Sequence, residues 1–261
     1  MASDFLDKFR KKPKTTPGGS PIYRYEEPEN RPWQPPAAYG TYAEEVNAHF
    51  ASLFPGREGF VYHEILSDLV HIDVNILPPS GEDGFYVVYT TGMSDRPMTL
   101  PDELADREEL KYAEVFLFLP GSWDLGKEFQ LGSDVPAEYF WPIHMLKFLA
   151  RFPHEYETWL AWGHTMPNGP NYESLGPDVG FGGVVLDQLG KELERVETKD
   201  GRRINLLFAI PAYREEIEYK LKYGMEALQE RFAQGELPMV LDPRRPNLCA
   251  EFTEILDGAE N

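Results

Sequence analysis

The chain has 261 residues, room for one large domain with a sizeable core, and carries 44 Asp and Glu against 25 Lys and Arg, a formal net charge of −19. Acidity on this scale opposes phosphate backbones and anionic lipid, which excludes nucleic acid and membrane surfaces as ordinary partners and favours a basic protein. The single cysteine, Cys249, excludes an intramolecular disulfide and a Cys-rich zinc site, and it suits a reducing compartment.

The first forty residues run against this balance, with 7 basic and 5 acidic side chains; the other 221 hold 18 and 39, a net −21. The start, Met1 to Lys12, lacks an apolar signal core, and no run approaches the roughly 18 apolar residues of a membrane span. The expected location is the cytoplasm. Pro13, Pro17, Pro21, Pro28, Pro32, Pro35 and Pro36, with Gly18 and Gly19, deny helices and ladders their amide donors, so residues 1–40 read as a flexible leader. Residues 41–240 form the expected domain, and 241–261 an acidic tail.

Thr41 is placed to cap a helix reaching Phe54, because Ala43, Val46, Phe50, Leu53 and Phe54 recur at helical spacing. From Leu69 to Ile76 the period is two: Val70, Ile72, Val74 and Ile76 share one face, His71, Asp73 and Asn75 the other. Phe85 to Thr91, Ala113 to Leu119 and Ile204 to Ile210 are evenly apolar, as strands covered on both sides are. Pro142 suits the first turn of a helix running to Phe152, and a last helix is expected from Arg214 to Ala233, weakened at Gly224. These elements predict an α+β single domain with a mixed central sheet and helices packed on it.

Histidines 63, 71, 144, 154 and 164 crowd residues 60 to 165, near Glu64 and Asp73. A cluster of His63, His71, Asp73 and His164 reads first as a satisfied polar layer; its alternative is a metal-dependent hydrolase, which needs three ligands converging at about 2.0 to 2.2 Å. The spacing is not that of a His-Glu-x-x-His helix. Glu114 and the pair Glu215 and Glu216 are acid–base candidates, but a lone carboxylate beside a strand is ordinarily structural. Ser94 sits in Gly-Met-Ser-Asp-Arg, not in a nucleophile elbow, and the glycines at 180, 182 and 183 lack a phosphate-loop ending. No catalytic residue and no cofactor are expected.

Loops after strands commonly carry function, and Gly92-Met93-Ser94-Asp95-Arg96-Pro97-Met98 follows one. Arg96 is expected to pair with a carboxylate or hold strand-end carbonyls. Trp123, Trp141, Trp159 and Trp162 fall within forty residues, and the segment from Phe152 to His164 is expected to present one wall of a protein-binding groove.

His63-Glu64-Ile65, His71-Ile72-Asp73, Thr91 to Met98, Ala113-Glu114 with Leu119-Pro120, Trp141-Pro142-Ile143, Ala150 to His154, Thr158-Trp159 and Gly163-His164-Thr165 together resemble the Suppressor of fused domain over roughly residues 45 to 235. Animal members grip a transcription-factor peptide as an added strand between this domain and a second one. The chain resembles the first domain only, and Phe152 and Gly163 stand where those members place a Tyr and an Asp, so the resemblance does not imply that peptide. It implies a non-enzymatic protein-binding module with partner contacts at Met93, Ser94, Asp95, Arg96, Phe152, Trp159, Gly163 and His164. Bacterial single-domain members are associated with immunity proteins, which with the acidic surface implies a basic toxin domain as partner. A scaffold without an exchangeable partner is the remaining alternative.

Overall fold

The computed structural model describes residues 14–25, 31–81, 84–125 and 137–252, the side chains of 137 and 138 excepted. The strands are β1 (Lys14–Thr15), β2 (Pro21–Ile22), β3 (Phe60–Tyr62), β4 (Asp73–Leu77), β5 (Phe85–Thr91), β6 (Ala113–Pro120), β7 (Thr165–Pro167), β8 (Gly183–Asp187), β9 (Arg195–Glu197) and β10 (Arg203–Ala212). The helices are α1 (Ala43–Leu53), α2 (Ala137–Glu155), α3 (Arg214–Tyr223) and α4 (Met225–Gln234). This is the expected α+β class. Two compact units can be distinguished: residues 28–214 with 238–246, and residues 1–27, 215–237 and 247–261.

The first unit is built on one sheet of order β3-β4-β5-β6-β10-β8-β7, with β9 also on β10. Every pairing is antiparallel except β6 with β10, whose register aligns Leu207 with Val115. Residues 87–91 and 113–119 are buried without a break, so the middle strands are covered on both faces, which is why their sequences are evenly apolar. On one face Phe50 of α1 stacks on Tyr89 at 3.9 Å between centroids and meets Phe116 edge-on at 5.8 Å. Helix α2 packs on β4, β5 and β6 through a face that includes Ile143, Leu146, Leu149 and Ala150. Short strands β3 and β7 form the two ends of the sheet path.

Three element boundaries differ from expectation. The strand expected from Leu69 begins at Asp73, because residues 68–72 spend their backbone groups elsewhere: Leu69 N donates to Gln34 O at 2.9 Å, Ile72 N to Glu64 Oε2 at 3.1 Å, and Arg151 reaches the Asp68 carbonyl at 3.1 Å. Its alternation nevertheless holds, with Val70, Ile72, Val74 and Ile76 buried. Helix α2 starts five residues before Pro142 and contains it, since the buried Trp141, packed against Trp123 and Phe181, extends the helix past the missing amide.

The third difference lies in the second unit, where the expected last helix is two. Gly224, at φ 93° and ψ 170°, breaks it by adopting a backbone state nearly exclusive to glycine. Around that break Tyr219 and Tyr223 pack on Phe252, Gly18 N donates to Leu221 O at 3.2 Å, and β1 pairs with β2. Of the expected leader and acidic tail, residues 1–13, 26–30 and 253–261 lie outside the described residues. Among those described, no helix is long and apolar enough to cross a membrane.

Candidate functional site

The loop after β5 turns inward. Ser94 is 1% exposed and donates to Glu114 Oε1 from both its amide, at 3.0 Å, and its Oγ, at 2.6 Å; Thr90 Oγ1 donates to Glu114 Oε2 at 2.6 Å. Burial pushes the Glu114 carboxyl up to about 7, against the pull of those three donors. The carboxyl is fully buried, and its bonds hold the loop. Met93 is buried too, and His154, buried, hydrogen-bonds to the Met93 carbonyl at 3.0 Å through Nε2. Burial pulls His154 down to about 4 and keeps its imidazole neutral, with Nε2 the donor. Asp95 accepts the Gly40 amide at 2.6 Å, and burial holds its carboxyl above the ordinary range.

Met98 and Thr99 close on the second predicted segment. Leu160 N donates to Met98 Sδ at 3.4 Å and Thr99 N to Thr158 O at 2.9 Å. The structure therefore brings the Met93–Met98 loop and the Phe152–Leu160 segment together, through buried bonds. Phe152 and Gly163 are buried; Trp159 is half-buried with its ring 4.5 Å from that of His164, while Trp162 is exposed and donates to Asp187 Oδ1 at 2.9 Å.

Arg96 departs from expectation: it is exposed, and among the described residues it has no carboxylate or carbonyl partner. Nothing there is lost on truncation, so Arg96→Ala should leave thermal melting within about 0.5 kcal/mol of the wild type. A clear drop in melting temperature would show an anchoring role that the geometry lacks.

Three of the four polar-cluster residues meet. His63 Nδ1 lies 3.0 Å from Asp73 Oδ2 and His71 Nε2 3.0 Å from Asp73 Oδ1, while Ser67 Oγ sits 2.6 Å from His71 Nδ1. His164 is not among them; it closes the turn that begins at Ala161, with its amide on the Ala161 carbonyl, and its own carbonyl accepts from Leu186 of β8.

Beside this cluster stands a surface the sequence did not signal. Ile65 is 78% exposed, Leu66 87%, Trp33 66% and Tyr39 64%. Isolated exposed hydrophobes are normal, but these are gathered on one rigid scaffold. Asp68 accepts Arg31 Nη1 and Nη2 at 2.9 and 2.7 Å and the Gln34 amide at 2.9 Å, and Trp33 Nε1 donates to Ser67 O at 2.9 Å. Glu64 is gripped by Arg151 and by Lys147 at 3.1 Å; burial acts against its charge, yet these cations and the Ile72 amide hold its carboxyl below the ordinary range. The Tyr39 ring lies 5.4 Å from that of His71. Between Lys147 and Arg151, Phe148 is 49% exposed and its ring lies 5.8 Å from Phe152, so apolar surface continues along α2.

The profile of the Suppressor of fused protein (SUFU) family matches residues 68–246, well over half of the chain. The chain belongs to the Suppressor of fused family. Its fold is similar to that of a SUFU homologue from Neisseria gonorrhoeae, with 17% identity, a TM-score of 0.56, and 79% of this chain and 96% of that one covered. It is likewise similar to the structure of a Sufu–Fu complex (15% identity, TM-score 0.56, 82% and 93% covered) and to Drosophila Suppressor of fused (14%, 0.57, 83% and 52%). At these identities the likeness is one of fold. A comparison with curated proteins gives no match. The family match takes in His71, Asp73, the Thr91–Met98 loop and the Phe152–His164 segment; Trp33, Tyr39, His63, Ile65 and Leu66 of this Suppressor of fused chain precede it.

Proposed function

We propose that this chain is a protein-binding module that captures and neutralises a basic partner, in the manner of an immunity or antitoxin protein in the cytoplasm. One observation carries the reading: Ile65 and Leu66, 78% and 87% exposed, project from a loop whose neighbours Glu64 and Asp68 are tied down by Lys147, Arg151 and Arg31. A rigid apolar centre with a charged rim is the pattern of a binding hot spot, because little conformational entropy remains to be lost on docking. The surface continues past Phe148 toward Phe152, one of the groove residues expected from the sequence. The net charge of −19 supports a basic occupant by steering its approach. Membership of a family with a structurally characterised Sufu–Fu complex supports a protein as the ligand.

The test is capture from the native host at low salt by wild-type chain and by an Ile65→Ser, Leu66→Ser double variant. The wild type should retain a basic protein that is toxic when produced alone, and the double variant should melt normally yet bind at least about 30-fold more weakly, the effect of removing roughly 2 kcal/mol of hot-spot contact. Recovery of no such partner, or equal capture by the variant, would overturn the proposal.

A further inference from the structure

We propose that His63, His71 and Asp73 form a binding site for one divalent first-row transition-metal ion, with zinc the best chemical match. One ligand atom from each of the three lies within 4.8 Å of the others. In a tetrahedral zinc centre with bonds of about 2.0 to 2.2 Å, neighbouring ligand atoms stand roughly 3.3 to 3.6 Å apart. Each imidazole nitrogen stands 3.0 Å from a different oxygen of Asp73, His63 Nδ1 from Oδ2 and His71 Nε2 from Oδ1, so closure on an ion needs the carboxylate to turn one oxygen toward both rings and the histidines to approach from within the 4.8 Å limit.

The ligands differ in freedom in a way that permits this closure. Asp73 begins β4, and Glu64 N donates to its Oδ1 at 3.1 Å; His71 is held two residues earlier by the pinned backbone around Val70 and Ile72. His63, with a side chain 63% exposed, follows β3 and is free to rotate onto an ion. Metal-ligating histidines ordinarily place their second ring nitrogen on a hydrogen-bonding partner that fixes the ring, and Ser67 Oγ occupies that position 2.6 Å from His71 Nδ1.

The same atoms satisfy one another without metal when His63 Nδ1–H donates to Asp73 Oδ2, His71 Nε2–H faces Asp73 Oδ1 at 3.0 Å and Ser67 donates to His71 Nδ1. Metal uptake turns the two imidazole lone pairs inward, moves the His71 proton to Nδ1, and makes Ser67 the acceptor, a reversal that a hydroxyl accommodates and an amide or carbonyl does not. Two imidazoles and one carboxylate suit zinc and its neighbours and disfavour calcium or magnesium, which need oxygen donors. Glu64 cannot complete the set, because Arg151, Lys147 and the Ile72 amide hold its carboxylate. The fourth position is left to water or to a donor on a docking partner, since exposed His63 borders Ile65 and Leu66. Uptake by the chain alone is independent of the binding function proposed above.

The experiment is calorimetric titration of zinc into untagged full-length chain stripped with EDTA, alongside cobalt absorption as a reporter of coordination geometry. One equivalent should bind saturably, and His63→Ala should weaken it by about tenfold or more while melting like the metal-free wild type, because His63 is exposed. Asp73→Asn should act in the same direction. Absence of saturable uptake in the stripped wild type, or uptake undiminished in His63→Ala, would overturn the site.

Discussion

Replacing Gly92 by Ala should cost the fold about 4 kcal/mol or more, one of the largest effects available from a single added methyl. Gly92 opens the loop after β5 at φ 103°, and a Cβ built there would stand 1.8 Å from the His71 carbonyl oxygen and 3.0 Å from its carbon. The obstacle is backbone, and backbone pinned on both sides: Arg151 Nη2 approaches Val70 O at 3.5 Å and Ile72 N is bonded to Glu64. It cannot yield as a flexible side chain does, and positive φ adds a strain of roughly 1–2 kcal/mol for any residue with a Cβ. In a domain of this size a loss of 4 kcal/mol lowers the melting temperature by roughly 8–16 °C. Thermal melting followed by circular dichroism checks it; a variant melting within about 2 °C of the wild type would show that the loop can be rebuilt around the methyl.

That contact also shows where sequence reasoning reached and where it stopped. Strands β5, β6 and β10 were legible because burial on both faces leaves an unbroken apolar run that nothing else competes for. The start of β4 was not, since the competitors for its backbone, Gln34, Glu64 and Arg151, lie 8 to 83 residues away from their partners. Asp73, His71 and His63 were legible as a group because His71 and Asp73 alternate in one period-two run and His63 follows the neighbouring strand β3; His164 was joined to them by residue type alone, and it is not part of the cluster. Met93 and Ser94 looked like a binding loop because loops after strands commonly carry function, yet the buried carboxyl at position 114 takes Ser94 and the buried His154 takes the Met93 carbonyl. Ile65 and Leu66 were the converse. An adjacent Ile-Leu pair has no period and reads as core, and the only clue was its position inside Glu64-Ile65-Leu66-Ser67-Asp68, where polar neighbours on both sides leave no apolar partners for it.

The two titratable groups of the clamp on Met93 and Ser94 should make opposing contributions to stability between about pH 4.5 and 6.5, and a substitution of either should expose the contribution of the other. Burial raises Glu114 from an ordinary 4.5 to about 7, so in that interval the folded chain holds a proton that the unfolded chain releases, and stability falls as pH rises, fully present below 4.5 and gone above 7. Burial lowers His154 from 6.5 to about 4, so the unfolded chain binds the proton that the folded chain refuses, and stability rises with pH from 4 to 6.5. Each full pH unit carries about 1.4 kcal/mol, and over the shared two units the contributions, roughly 3 kcal/mol each, oppose one another. Glu114→Gln removes the falling limb, and the free energy of unfolding of the variant should then climb relative to wild type by roughly 3 kcal/mol between pH 4.5 and 6.5; His154→Gln should decline by a similar amount. Urea midpoints at the two pH values measure this as a difference of differences, which cancels every carboxylate elsewhere and also the constant loss each variant suffers from its missing hydrogen bonds. If the gap between wild type and Glu114→Gln is the same at both pH values, the carboxyl at 114 does not titrate in this range and the loop is held by an ionised group. In that case the three donors from Thr90 and Ser94 outweigh the desolvation of the charge, and the His154 limb alone should remain, as a decline of His154→Gln relative to wild type with rising pH.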